Sequence, residues 1–208
     1  MTGLPSGQII ILNGAPRSGK SSIARVILET FDGLWVNLGV DASMAMTPER
    51  FQPGIGLRPG GERPDLEPVV KKLYRSLFAS IAMHSRIGVS VVADLGIHDS
   101  YSSSLGILDD MRQILGELPL LFVGVTCPLE TIMIRRNAEP ENSRYARGFI
   151  VPPQVRLWQY EVHHAKGYDM SVDTGTTPPE YCAHAILVEL AERYGFTPPP
   201  PPDAEFVE

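Results

Sequence analysis

The chain has 208 residues with 18 basic and 24 acidic side chains, a formal charge of −6. That length suits one domain built on a sheet covered on both faces, and the acidic balance excludes a general binder of nucleic acid or anionic membrane. Two cysteines, Cys127 and Cys182, make neither a disulfide framework nor a metal spacing, which points to a reducing cytoplasm; the longest apolar run, Leu118 to Val125 with Pro119 inside it, is far too short to span a membrane, and no signal peptide opens the chain.

The first predicted strand, Gln8 to Asn13, carries Ile9, Ile10, Ile11 and Leu12 and reads as a buried parallel strand. It feeds Gly14-Ala15-Pro16-Arg17-Ser18-Gly19-Lys20-Ser21, a full G-x-x-x-x-G-K-[ST] pattern. Ile23, Val26, Ile27 and Phe31 then recur at helical spacing. Strand, glycine loop and helix follow in the order a phosphate-binding loop requires. Its backbone N–H groups and the helix dipole would cradle the phosphates of a nucleoside triphosphate. Lys20 would reach the β- and γ-phosphates, and the Ser21 hydroxyl would ligate Mg²⁺. Ser22 and Arg136 are counted with the nucleotide-binding residues, and Arg17 is open to touching phosphate or pointing outward.

A turn at Asp32-Gly33 precedes a second strand, Leu34 to Leu38, which ends at Gly39-Val40-Asp41. Thr47 to Pro68 is dense in proline, glycine and arginine and reads as an irregular functional excursion within an acceptor-side segment, 42–68. A helix is predicted from Asp65, with Val69, Val70, Leu73, Leu77, Phe78 and Ile81 on its apolar face. The third strand, Val89 to Ala93, runs into Asp94; Ser102 to Leu115 reads as a helix, and Leu120 to Thr126 as the fourth strand. Pro128 suits the first turn of the next helix. Arg135, Arg136, Arg144 and Arg147 then fall in a segment, 135–153, with the make-up of a closing lid or of a solvated surface. A short helix over Val155 to His164, a fifth strand over Asp169 to Asp173, and a final helix capped at Thr177 complete the domain, 1–194. The prolines Pro198 to Pro202 place 195–208 as a disordered tail.

Alternating strands and helices predict an α/β doubly wound parallel sheet with right-handed crossovers. Ligands of such sheets bind beyond the carboxyl ends of the strands, where Asn13, Asp41, Asp94, Cys127 and Asp173 fall. Asp41 is a candidate to deprotonate an acceptor hydroxyl, and Asp94 to stand beside Mg²⁺; each also reads as a turn cap. His98-Asp99 reads as solvated loop or acceptor wall. His163 and His164 are neighbours whose side chains diverge on a helix, so they make no i, i+4 metal pair. Cys127 reads as a buried small residue. Met44, Met46 and Phe51 read as an apolar acceptor wall or as core.

The phosphate loop, Gly39-Val40-Asp41 after a Trp-bearing strand, and Tyr168-Asp169-Met170-Ser171-Val172-Asp173-Thr174 together resemble the chloramphenicol phosphotransferase family, from about Ile9 to Leu190. The resemblance implies a P-loop NTPase three-layer sandwich with a five-stranded parallel sheet in the order 2-3-1-4-5. It implies transfer of the ATP γ-phosphate to a small-molecule hydroxyl, with Asp41 as base, Lys20 and Ser21 in their usual roles, and adenine near the loop after Asp173, hence near Thr174. Arg144 and Arg147 are the expected lid cations at the reacting phosphoryl group. Residues 47–68 and the long lid depart from the family pattern, and those are the regions that select the acceptor. Homo-oligomers stay open. A nucleotide-dependent switch or regulatory ATPase, with the polyproline tail as partner handle, is the competing reading; a kinase acting on a macromolecule suits the acidic balance less.

Overall fold

The computed structural model describes residues 6–52, 63–138, 148, 150–164, 167–198 and 200–203. Five parallel strands form its sheet: β1 (Ile9–Asn13), β2 (Trp35–Asn37), β3 (Ser90–Leu95), β4 (Leu120–Thr126) and β5 (Met170–Asp173), in the order β2-β3-β1-β4-β5. The helices are α1 (Lys20–Thr30), α2 (Val40–Ala45), α3 (Glu67–Arg86), α4 (Ile107–Leu115), α5 (Leu129–Asn137), α6 (Pro153–His163) and α7 (Pro179–Tyr194). This is the parallel α/β sheet expected from the alternation of elements, in the three-layer P-loop arrangement and strand order that the resemblance implied.

Alternation along the strands sorts the core into two layers. Ile9 and Ile11 of β1 face α3 and α4 together with Val91, Ala93 and Leu95 of β3 and Phe122 of β4. Ile10 and Leu12 face α1 and α7 together with Val92, Leu121, Val123 and Val125. Because both faces are covered, β1 is buried at every position and reads as an unbroken apolar run.

Several boundaries differ from expectation. Asp94 lies inside β3, in register with Leu12, rather than after the strand's end. Asp41, expected at the end of the second strand, sits in the first turn of α2, a six-residue helix too short to show a sequence period. The helix expected from Ser102 begins only at Ile107, behind the left-handed Gly106 at φ +63°. Pro128 and Pro178 occupy N-cap positions, and Thr177 makes no capping hydrogen bond to α7. Pro68, Pro153 and Pro179 fall within the first turns of their helices, where the missing N–H costs no helical bond. In the tail, Asp203 meets the Tyr181 hydroxyl of α7. Residues 53–62 of the irregular segment and most of the lid, including Arg144 and Arg147, lie outside the described residues.

Candidate active site

Strand parity builds the site. Asp94 follows Val92 on the α1 face of β3, so its carboxylate meets the first turn of α1: the Ser21 hydroxyl donates to Asp94 Oδ2 at 2.6 Å. The other oxygen of that carboxylate lies against Gly39, where a Cβ would fall 1.8 Å from Oδ1. A side chain at position 39 would therefore displace the Asp94 carboxylate, and the Asn37 side chain holds the turn by accepting from the Gly39 N–H at 2.8 Å. The next residue but one is Asp41. The carboxyl ends of β2, β3 and β1 thus bring Asp41, Asp94, Lys20 and Ser21 to one edge of the sheet.

The phosphate loop is shaped by close packing. A Cβ on Gly14 would lie 2.4 Å from the Val125 carbonyl oxygen, and Gly19 has φ +92°. Arg17 takes φ +69° without being glycine, a local strain the surroundings must hold. They do so through Thr174, whose hydroxyl donates to the Ser18 carbonyl at 2.6 Å, and through Arg135. The Arg135 guanidinium donates to the carbonyls of Arg17 at 3.2 Å and Thr174 at 2.7 Å, to Thr174 Oγ1 at 3.0 Å and to Cys127 Sγ at 3.4 Å. Arg135, expected in the lid, instead braces the loop. Arg136 is 4% exposed, and Cys127 is buried as expected.

Lys20 Nζ donates to the carbonyls of Gly14 at 2.9 Å and Ala15 at 2.8 Å. Desolvation lowers its pKa to about 8; Asp94 and Asp41 act in the opposite direction. A phosphate nearby would raise it again.

Other expected residues are placed differently. Asn13, on the opposite parity from Asp94, is a strut: Nδ2 donates to the Val162 carbonyl and the Tyr168 hydroxyl, both at 2.9 Å, and Oδ1 accepts from Ile97 N–H at 2.6 Å. His98 is not solvated loop but buried at 3% exposure, stacked on Tyr101 at 4.5 Å. Beside it, a cavity of about 450 Å³ is lined by His98, Asp99, Asp109, Arg112, Glu161 and His164 among others. His163 and His164 do diverge: His163 Nδ1 lies 3.1 Å from the Tyr168 hydroxyl, and His164 stacks on Tyr160. Met46 and Phe51 are exposed rather than packed into the core. Sequence reasoning missed Trp158, whose indole edge faces Gly96. Its only signal was an aromatic on a predicted helix, which reads as packing.

The chain matches the family described as chloramphenicol phosphotransferase-like protein over residues 7–191. It belongs to that family. A Mycobacterium tuberculosis protein named "Putative O-phosphotransferase" is 26% identical over 96% of this chain and 88% of its own length. Among solved structures, a sugar kinase from Janibacter superposes with TM-score 0.58 at 19% identity, covering 88% of this chain and 94% of its own. Shikimate kinase from Aquifex aeolicus superposes with TM-score 0.53 at 16% identity, covering 89% and 98%. Family and fold support a kinase-like O-phosphotransferase. Among the described residues, no helix is long and apolar enough to cross a membrane.

Proposed function

We propose that this protein transfers the γ-phosphate of ATP to a hydroxyl of a small molecule, with chloramphenicol or a related antibiotic as the leading acceptor. The observation that carries the reading is the Ser21–Asp94 contact at 2.6 Å, flanked by Lys20 and by Gly39-Val40-Asp41. It joins the hydroxyl and carboxylate that serve a metal to the cation that serves phosphate.

The residues fit a magnesium nucleotide. The Gly14 cradle has no room for a side chain, the buried Ser18 Oγ has no hydrogen-bond partner among the described residues, and Ser21 with Asp94 is an all-oxygen donor pair. Ser21 would hold Mg²⁺ with Asp94 beside it. Bound there, the ion neutralises charge on the phosphate oxygens. The loop from Gly14 to Ser22 binds the phosphates through backbone N–H groups, Lys20 adds a cation, and Thr174 stands on the adenine side. Asp41 orients the acceptor hydroxyl and takes its proton as the hydroxyl oxygen bonds to the γ-phosphorus and the bond to the β–γ bridging oxygen breaks, releasing ADP. Arg136, Arg144 and Arg147 are assigned to charge on the nucleotide and to the moving phosphoryl group. The exposed Met46 and Phe51, which follow Asp41 in the acceptor-side segment, favour an acceptor with an apolar body. Both cysteines are free thiols, which agrees with a cytoplasmic enzyme.

The test is ADP release with Mg²⁺-ATP across chloramphenicol, shikimate, D-gluconate, D-glucose and adenosine. Acceptor-dependent release supports the reading. Slow release that no acceptor accelerates supports a nucleotide switch instead.

A further inference from the structure

Trp158 on α6 carries a buried indole N–H with no hydrogen-bond partner among the described residues. Trp35, the other tryptophan, donates its indole N–H to the Asp32 carbonyl at 3.1 Å. A buried donor left unpaired is costly, so its surroundings matter. The N–H edge of Trp158 faces Gly96, one residue past β3: a Cβ built there would stand 3.6 Å from Trp158 Nε1 and 3.6 Å from the Gly14 carbonyl oxygen. Gly96 thus lies between the first residue of the phosphate loop and the indole donor.

Glycine is not required at position 96 by the fold. Its φ is not left-handed, and the nearest atoms to the added Cβ, at 3.6–3.9 Å, are at ordinary van der Waals distances. Without a Cβ, the Gly96 backbone leaves room for close approach by another group. His98 closes the far side, with its ring 6.2 Å from that of Trp158 in an edge-on arrangement and stacked on Tyr101. The rigid aromatic group fixes the direction of the N–H.

Resting on the phosphotransferase reading, we propose that Trp158 is an acceptor-binding residue whose indole N–H donates to an oxygen of the acceptor seated over Gly96. The acceptor is then an alcohol with at least two oxygens: one hydroxyl meets Asp41 and is phosphorylated, and a second hydroxyl, carbonyl or carboxylate oxygen is read by Trp158. A site that pairs a buried donor with a substrate oxygen discriminates strongly against analogues lacking that oxygen.

Trp158→Phe keeps a ring and removes the donor, while Gly96→Ala keeps the donor and fills the space over the backbone. Both variants should raise the acceptor KM about tenfold to a hundredfold, with the KM for ATP unchanged and the melting temperature of Gly96→Ala unchanged. The compounds used are the five alcohols named above, with the full chain and Mg²⁺-ATP. In ¹H–¹⁵N spectra, any of them that evokes ADP release should move the Trp158 indole signal downfield and leave that of Trp35 in place. Release with wild-type acceptor KM in both variants, or with an unmoved Trp158 signal, overturns the assignment alone. Release evoked by none of the five removes the phosphotransferase reading, and this inference with it.

Discussion

The Asp94 carboxylate is held between two elements that are distant in sequence: Oδ2 accepts from the Ser21 hydroxyl at 2.6 Å, and Oδ1 lies where a Cβ of Gly39 would be. One carboxylate therefore fixes the phosphate loop against the turn that carries Asp41. Replacing it with Asn keeps the shape and removes the charge. Asp94→Asn should raise the Mg²⁺ concentration needed for half-maximal ADP release by about 10–100-fold, the usual cost of losing a partner of a metal ligand. An unchanged Mg²⁺ titration would separate Asp94 from the metal.

Asp41→Asn removes proton acceptance in a nearly isosteric side chain. Acceptor-dependent turnover should fall by about 10²–10⁴-fold while ATP affinity is retained. A loose transition state needs less early deprotonation, so the lower end of that range already supports the role. Near-wild-type turnover would transfer suspicion to Asp94. Gly39→Ala should act on both carboxylates at once, since its Cβ would displace Asp94.

Lys20 gives a pH signature. Burial lowers its pKa in the folded protein to about 8, from the usual 10.5 of a solvated lysine. Between these values the unfolded chain binds a proton that the folded chain does not. Stability from this group therefore rises with pH through that window, and below about pH 8 it is a constant penalty. The melting temperature of Lys20→Met should exceed that of wild type at pH 7, and the gap should narrow as pH rises above 8. ATP binding near pH 8.5 should take up protons, which calorimetry in buffers of different ionisation enthalpy reads directly. Proton-neutral binding at that pH would contradict the lowered pKa.

Arg135 joins α5 to the phosphate loop and to the end of β5 through Arg17, Thr174 and Cys127. Arg135→Ala should cost about 2–3 kcal/mol, a fall in melting temperature of about 5–10 °C. It should also raise the KM for ATP, because Arg17 at φ +69° loses its brace. Lys in its place cannot make the forked set of bonds and should rescue little. A mutant with unchanged melting temperature and KM would show that the brace is idle.

The sequence by itself determined the elements whose cause is local. The phosphate loop is one contiguous run between an apolar strand and an amphipathic helix, whereas the register that sets Asn13 and Asp94 facing different layers came only with the sheet. α2 escaped because six residues cannot display a helical period. Only the tertiary structure decided the rest of the site. Arg135 braces a loop 118 residues away, a relation no window of sequence contains. His98 looked like solvated loop until Tyr101 and Trp158 enclosed it. Trp158 looked like packing because its apolar ring and its unpaired N–H are the same residue in a sequence. Burial of one polar atom is a property of everything folded around it, and it exists only once the sheet has brought α6 over β3 and the phosphate loop.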